Sequence, residues 1–336
     1  MSFWHTLPKP LMVLAPLANV TDASFRRVIA KYSRHTRADG SKGGPDVFWT
    51  EFVSADGLIR ATPEGKKILM ADLIYAEEER PIVAQLFSAN PKHMEESARL
   101  CVSLGFDGID INMGCPDRTI ERQGCGASMI KNPVLAQEII RATKRGAGTL
   151  PVSVKTRIGY NKNEMETWIP ALLAEHPDVL TLHARTRKEM SKVPARWVHI
   201  AEAVQMRNAI QRDLSDQEHT LIIGNGDAVS LVDGYTKVKE AGADGVMFGR
   251  AIFGNPWFFN PDMNAREIPI QEKLKVLMEH TRLFEELLPH KNFSLMKKHY
   301  KAYVHEFDGA KELRHMLMET KNSDEVAMVV NRFLKT

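Results

Sequence analysis

Eight short apolar runs recur along the sequence, and amphipathic stretches typical of helices separate them. Strands of a parallel sheet that is covered by helices on both faces need such nearly continuous apolar runs. Eight strand–helix units within about 250 residues are typical of a TIM barrel. The predicted strands cover residues 11–15, 46–50, 81–87, 108–111, 152–156, 179–182, 221–223 and 245–248.

The alternative arrangement is a doubly wound sheet, which needs a glycine-rich turn after its first strand. The segment APLANVTD that follows the first run contains no glycine. After Pro261 the strand rhythm stops, and the pattern is helical from Gln271 to the end. We therefore predict an α/β fold with a (β/α)8 TIM barrel as the catalytic domain over residues 1–262. A small C-terminal helical domain is predicted over residues 268–336.

Charge and cysteine content exclude several classes of protein. The 336 residues carry a formal net charge of +3, which is compatible with a nucleic-acid partner but too small to indicate one. Three cysteines do not form a disulfide framework, and no Cys/His cluster has the spacing of a zinc site. The sequence shows no signal-peptide pattern and no apolar run of about 18 residues. We expect a cytoplasmic protein without a metal and without membrane contact.

Polar side chains follow most of the predicted strands. In a TIM barrel these strand ends meet at one face, where the active site forms. A single polar residue there could be chance, but a ring of them from most strands indicates a functional site. The ring consists of Asn19, Glu51, Gln85, Asn112, Lys155, Arg157, His183, Arg185, Asn225, Asp227 and Arg250.

The last two predicted strands end in glycine-containing turns, where barrels often bind phosphate. The segment 225–227 (Asn-Gly-Asp) is predicted to open a helix, whose N-terminus favours an anion. Gly249 and Arg250 add backbone amides and a guanidinium group. The alternative is that these glycines only make tight turns.

Lys155 and His183 project from neighbouring predicted strands. A fixed lysine would stabilise the negative charge that a reduced flavin carries on its pyrimidine edge. Gln85 could bond the amide edge of the same ring. The alternatives are a structural ion pair for Lys155 and a hydrogen-bonded rim histidine for His183.

Cys115 follows a predicted buried strand and lies on a tight turn between Gly114 and Pro116. An unperturbed thiol has a pKa of about 8.5 and therefore stays mostly protonated near neutral pH. Cys115 could thus act as a general acid. Cys101 fits a small buried hydrophobic residue better, and Cys125 is expected to pack within a loop.

Several motifs are spread over essentially the whole chain. Those of the predicted barrel are APLANVTDASFR, TEFVSADG, QLFSANP, DGIDINMGCPDRTIERQGCGASMI, VKTRIG, LHART, IIGNGD and MFGRAIFGNPW, of which the fourth is the most specific. The helical tail contains LMKKHYKAYVHEF and AKELRHML. The barrel motifs resemble those of the tRNA-dihydrouridine synthase family, and the tail resembles the C-terminal RNA-binding domain of that family.

The resemblance implies FMN in the barrel, NADPH or NADH as the electron donor, and tRNA as the substrate. It implies hydride transfer from the flavin to carbon 6 of a uracil, with Cys115 protonating carbon 5. It also implies that Asn112 orients the substrate and that Arg157 contacts the base or its surroundings. The residues implied to hold FMN are Pro16, Leu17, Ala18, Gln85, Lys155, His183, Asn225, Gly226, Asp227, Gly249 and Arg250.

One stretch of the helical tail combines basic and aromatic residues. Lysines can neutralise phosphates, and aromatic side chains can stack on bases. We predict RNA contacts for Lys297 and Lys298, with Tyr300 and Tyr303 as stacking candidates. The alternative is a solvated helix with its tyrosines in the core. We expect the protein to be monomeric.

Two other functions are compatible with part of this pattern. An FMN barrel reductase of free pyrimidines, of the dihydroorotate or dihydropyrimidine type, would share the phosphate loops and Lys155. The helical tail and the NMGCP segment argue against it. A non-catalytic RNA-binding factor is the other, and the joint presence of Cys115, Lys155 and His183 argues against that.

Overall fold

A closed parallel sheet forms the centre of the molecule, which is described here for residues 2–335 of a computed structural model. The strands follow the spatial order β1-β10-β9-β8-β7-β6-β5-β4, and each pairs with its neighbours in parallel. They are β1 (Leu11–Leu14), β4 (Phe48–Ser54), β5 (Ile82–Phe87), β6 (Gly108–Met113), β7 (Val152–Arg157), β8 (Val179–His183), β9 (Leu221–Asn225) and β10 (Gly245–Phe248). The strands β2 (His35–Thr36) and β3 (Lys42–Gly43) form a separate antiparallel hairpin.

Two backbone hydrogen bonds join the edges of this sheet. The Asp46 amide donates to the Met12 carbonyl at 2.9 Å, and the Leu14 amide donates to the Val47 carbonyl at 3.3 Å. The segment just before β4 therefore lies beside β1, and the sheet closes on itself. The prediction of a (β/α)8 TIM barrel is confirmed.

Helices cover the outside of the barrel and bury its apolar strands. Asp22 caps the first barrel helix, since its carboxylate accepts the Phe25 amide at 3.1 Å. The helices in this part of the chain are α1 (Phe3–Thr6), α2 (Ala23–Tyr32), α3 (Ala55–Arg60), α4 (Pro63–Ala71), α5 (Pro91–Ser103), α6 (Arg118–Glu121), α7 (Pro133–Ala147), α8 (Met165–Leu173), α9 (Val198–Ile210) and α10 (Leu231–Ala241).

Two predicted boundaries are wrong. The second barrel strand extends to Ser54, so Glu51 lies inside the strand and is buried, with 6% of its surface exposed. The segment 225–227 does not open a helix, because α10 begins only at Leu231 with Ser230 as its N-cap. Asp227 instead has a positive φ of 52° and accepts the Ala195 amide at 2.8 Å, which holds it in a turn.

The N-terminal helix α1 closes one end of the barrel. Trp4 is fully buried and packs against Trp49, with 5.6 Å between the ring centroids. It shares an apolar cluster with interior residues of the strands, including Val13 and Val83. Because apolar side chains fill this end, the opposite end, where the strands terminate, is the one that can hold a ligand.

A second apolar cluster forms in the C-terminal region, where the strand rhythm is absent. Helix α11 packs on the barrel helix α2, and Val28 of α2 belongs to the cluster. The helices are α11 (Ile270–Leu287), α12 (Lys297–Tyr303), α13 (Ala310–Glu319) and α14 (Ser323–Phe333). None of the helices within residues 2–335 has the length and apolar character needed to cross a membrane.

The aromatic residues of α12 lie in this cluster. Tyr300 is 0% exposed and Tyr303 is 2% exposed, and His299 stacks near Phe253 at 5.9 Å. Tyr300 and Tyr303 are therefore not available to stack on RNA bases, and the alternative of tyrosines in the core is the one observed. Positions 299, 300 and 303 share one face of a helix, and that face packs against the rest of the protein.

We predict that Arg26→Leu destabilises the fold by about 3–5 kcal/mol, because it leaves a buried carboxylate uncompensated. Arg26 Nε lies 2.5 Å from Glu79 Oε2, and both side chains are 0% exposed. Chemical denaturation monitored by circular dichroism measures the loss. Arg99→Leu is the control, since Arg99 pairs with Glu95 at the surface, where solvent screens the charges and loss of the pair leaves the midpoint nearly unchanged. Equal shifts of the two denaturation midpoints would contradict the prediction.

Candidate active site

A pocket of about 980 Å³ opens at the end of the barrel where the strands terminate. The lining side chains come from strand ends and the loops that follow them, as parallel strands in a closed barrel require. Among the predicted site residues, the pocket is lined by Pro16, Leu17, Ala18, Gln85, Asn112, Cys115, Lys155, Arg157, His183, Asn225, Gly226, Asp227, Gly249 and Arg250.

Asn112 shapes the turn that carries the cysteine. Its side-chain oxygen accepts the Gly114 amide at 3.1 Å and the Cys115 amide at 3.0 Å. A side chain at Gly114 would come within 3.2 Å of the Thr156 backbone, so the close approach to β7 favours a glycine. These contacts fix the position of the thiol relative to the strand.

The Cys115 thiol is half-buried at the pocket wall. Burial raises its pKa above the ordinary value, because a thiolate would lose solvation. The thiol therefore carries its proton at neutral pH and is able to donate it. Cys101 and Cys125 are buried instead, Cys125 in a small cluster with Phe87 and Ile120.

Asp110 was not among the residues predicted from the sequence. It lies beneath the pocket, where it binds the lining residue Gln85. It is fully buried and accepts hydrogen bonds from Gln85 Nε2 at 2.6 Å and from Ser153 Oγ at 2.5 Å. Burial raises its pKa to about 6. Gln85 Oε1 in turn accepts Asn112 Nδ2 at 3.1 Å. The only signal in the sequence is one charged residue inside the apolar run GIDIN.

Lys155 is a half-buried cation next to the Gln85–Asp110 pair. Its Nζ donates to Asn225 Oδ1 at 3.3 Å, and Asn225 Nδ2 donates to the Met247 carbonyl at 2.8 Å. Burial, with a further contribution from the charge of Arg157, lowers the Lys155 pKa to about 8. An ammonium group has three hydrogens, so two remain for a ligand in the pocket.

His183 is neutral in this environment. Burial, together with the nearby guanidinium and ammonium charges, lowers its pKa well below the ordinary value. Its Nε2 lies 3.1 Å from Arg185 Nη1. Because a guanidinium group can only donate, Nε2 is the acceptor, and the ring proton resides on Nδ1. His183 therefore offers a neutral N–H donor.

Asp227 joins two arginines at the rim. Its carboxylate accepts Arg185 Nη2 and, at 2.7 Å, Arg250 Nη2. Arg250 is 66% exposed and Arg185 only 3%. Gly226 has a φ of 124°, and a side chain there would lie 2.8 Å from Ala195 and 3.1 Å from the His183 ring. Gly249 faces open space instead, because an added Cβ would meet nothing closer than 3.9 Å.

Arg157 also stabilises the turn that carries Cys115, through hydrogen bonds to backbone carbonyls. Its Nε donates to the Gly114 carbonyl at 2.7 Å, and Nη1 donates to the carbonyls of Thr186 and Met190 at 3.2 and 3.3 Å. Burial lowers its pKa to about 10, so it remains a cation near neutral pH. The structure thus places this charge next to the thiol.

Lys297 and Lys298 do not line the pocket. Both are half-buried on α12, and burial lowers the pKa of Lys298, which lies near the carboxylates of Asp22 and Glu51. Within residues 2–335 no group of three His, Cys, Asp or Glu side chains is arranged as a metal site.

Comparison with known proteins identifies the family. The family model described as "Dihydrouridine synthase (Dus)" matches residues 13–336. The chain belongs to the dihydrouridine synthase family. It is 37% identical over 335 residues to a "Probable tRNA-dihydrouridine synthase" of Staphylococcus aureus (strain MRSA252), covering 99% of this chain and 95% of that protein. It is equally similar to the "Probable tRNA-dihydrouridine synthase 2" of Bacillus subtilis (strain 168), covering 99% and 96%.

A solved structure of morphinone reductase in complex with tetrahydroNAD is also similar to this dihydrouridine synthase family member. The TM-score is 0.48 at 12% identity, covering 75% of this chain and 85% of the morphinone reductase chain.

We predict that Lys155 reacts with acetic anhydride at lower pH than the other lysines. Acylation needs the neutral amine, and the Lys155 pKa of about 8 makes that form available well below the usual lysine pKa of about 10.4. Competitive labelling followed by peptide mass spectrometry gives the midpoint. Exposed Lys239 on α10 is the internal control. Identical midpoints for the two lysines would contradict the burial argument.

Proposed function

We propose that this protein reduces specific uridines of tRNA to 5,6-dihydrouridine, with FMN as cofactor and NADPH or NADH as electron donor. One observation carries the proposal. A protonated thiol, Cys115, shares a pocket with Lys155 and His183, which are donors suited to the pyrimidine edge of a flavin. The curated relatives described as probable tRNA-dihydrouridine synthases support tRNA as the substrate. A tRNA substrate implies a cytoplasmic location.

The residues of the pocket fit a flavin nucleotide. Lys155 would face the edge of the ring that becomes negatively charged on reduction, and the His183 N–H would add a neutral donor. At the other end, the uncovered backbone at Gly249 and the exposed Arg250 suit a phosphate group. Pro16, Leu17 and Ala18 would form the apolar wall against the ring.

Cys115 is proposed as the general acid of the reaction. When bound, the reduced flavin would supply a hydride to carbon 6 of the uracil. The electron pair of the carbon 5–carbon 6 double bond then takes the proton of the Cys115 thiol, which forms the new bond at carbon 5. The resulting thiolate regains its proton from solvent. A raised thiol pKa matches this role, because the proton is present at neutral pH.

The neighbours of Cys115 keep the thiol in place. Asn112 holds the Cys115 amide and Arg157 holds the Gly114 carbonyl, so the turn is fixed on both sides. The Arg157 charge would also stabilise negative charge that develops on the uracil carbonyls during hydride addition. The target base must leave its stack to enter the pocket and reach Cys115.

We predict that Cys115→Ala retains bound flavin and its reduction by NADPH but forms no dihydrouridine. The variant lacks the proton donor while the flavin contacts stay intact. The assay combines the visible spectrum with mass spectrometry of tRNA nucleosides, in which product carries the mass of two added hydrogens. Cys101→Ala, which alters a buried thiol on α5, is the control and should keep full product.

Full product yield with Cys115→Ala would remove the thiol as the acid. Flavin binding by the wild-type protein together with reduction of free pyrimidines and not of tRNA would replace the proposed substrate. A purified protein that binds no flavin would overturn the cofactor assignment.

We predict that Lys297→Glu weakens tRNA binding and lowers the slope of log affinity against log salt by about 1, as loss of one phosphate contact does. Lys297 is the better candidate of the pair, because Lys298 lies near buried carboxylates. Filter binding at several salt concentrations measures the slope. Lys239→Glu on the barrel helix α10 is the matched charge reversal, and an equal effect from it would contradict a specific contact.

A further inference from the structure

A buried ion pair connects the C-terminal helical region with the wall of the pocket. Lys291 lies in the turn after α11, and its Nζ is 2.5 Å from Glu51 Oε2 and 2.8 Å from Asp72 Oδ1. The side chains of Lys291 and Glu51 are only 9% and 8% exposed. Glu51 belongs to β4, so the contact joins residues 240 positions apart in the chain.

The second oxygen of the same carboxylate reaches the pocket. Glu51 Oε1 accepts the backbone amide of Asn19, and Asn19 lines the pocket together with Leu17 and Ala18. Asn19 has a φ of 55°, a conformation that residues other than glycine adopt at a cost. A charged acceptor aimed at this amide compensates for that cost.

We infer that Lys291 is a positioning residue for the pocket, which acts through Glu51 to hold the loop 16–19 in its conformation. Glu51 supplies the hydrogen-bond acceptor, and Lys291 keeps that acceptor charged and oriented. The C-terminal helical region therefore supports the loop that lines the pocket, in addition to any contact with RNA. The inference concerns the loop itself and is independent of the ligand that the pocket binds.

The charges around Glu51 show why the cation is needed. Burial raises the Glu51 pKa, and Lys291 opposes that rise. Asp22 and Asp72 are further negative charges near Glu51. Without Lys291 the carboxylate would lose its directly paired cation and face two other acids in a buried site, with Lys298 as a further cation nearby. Removing one partner of a buried pair is strongly unfavourable. Protonation or reorientation of Glu51 would then weaken its bond to the Asn19 amide.

A second ion pair between the same two parts of the chain provides a matched control. Lys31 of α2 lies 2.7 Å from Glu279 Oε1 of α11, with 59% and 28% of the side chains exposed. This pair also joins the barrel to the helical region, but neither residue lines the pocket. Lys31→Met therefore removes one lysine and one connection between the two parts without touching loop 16–19.

Hydrogen exchange of the intact protein tests the inference directly. In Lys291→Met, amides in the peptide that covers residues 17–21 should exchange about tenfold faster or more, as expected on loss of a bond to a charged acceptor. Glu51→Ala should show the same change. Lys291→Arg, which retains a cation, should exchange more slowly than Lys291→Met, and Lys31→Met should match the wild type. Circular dichroism confirms that each variant is folded.

A folded Lys291→Met variant with unchanged exchange in residues 17–21 would overturn the inference, and so would an equal acceleration in Lys31→Met. FMN titration of the apoprotein is the second readout. If loop 16–19 contacts the cofactor, Lys291→Met should bind FMN at least about fivefold more weakly than Lys31→Met. The FMN titration rests on the proposed function. Failure of the wild type to bind FMN would count against that function only, because the exchange result decides the inference by itself.

Discussion

Closure of the parallel sheet is the constraint on which the rest of this structure depends. A parallel strand ends at the same side of the sheet as its neighbours, and closure brings all eight ends around one opening. The bonds between the segment before β4 and β1 complete the circle. Because Trp4 and its neighbours fill the other end, the side chains beyond the strands converge on a single pocket.

Burial of charge gives this pocket its chemistry. Five ionisable groups within it or beneath it have pKa values displaced mainly by loss of solvent, namely Asp110, Cys115, Lys155, Arg157 and His183. The displacements favour the protonated thiol and the neutral imidazole. Groups with perturbed pKa values occur preferentially at functional sites where protons are transferred or retained. The same burial requires internal hydrogen bonds, which the Gln85–Asp110–Ser153 chain and the Asn112 turn supply.

The C-terminal helical region packs directly against the barrel. Their shared apolar cluster includes Val28 of the barrel, and the Lys291–Glu51 pair extends from the helical region to the loop at the pocket. The division at residues 262–268 remains a prediction that describes the change in pattern along the chain. The contacts across it join the helical region to the barrel through an apolar cluster and a buried ion pair.

The sequence by itself determined the order of the strands, the class of barrel and many of the residues that line the pocket. Apolar runs mark strands wherever both faces are covered, and strand ends in a barrel are fixed in space once their order is known. The residues following each run were therefore predictable as neighbours. The GIDINMGCPDR segment also placed Cys115 on a turn at the pocket.

Only the tertiary structure decided which groups pair and which faces are covered. Glu51 was noted as a strand-end acid, but its partner Lys291 lies 240 positions away. Tyr300 and Tyr303 looked available for RNA, yet the packing of α11 and α12 buries them. Helix α10 begins later than predicted, with Ser230 as its N-cap, and Asp227 instead pairs with Arg185 and Arg250. Such contacts depend on distances between remote residues, which no local pattern contains.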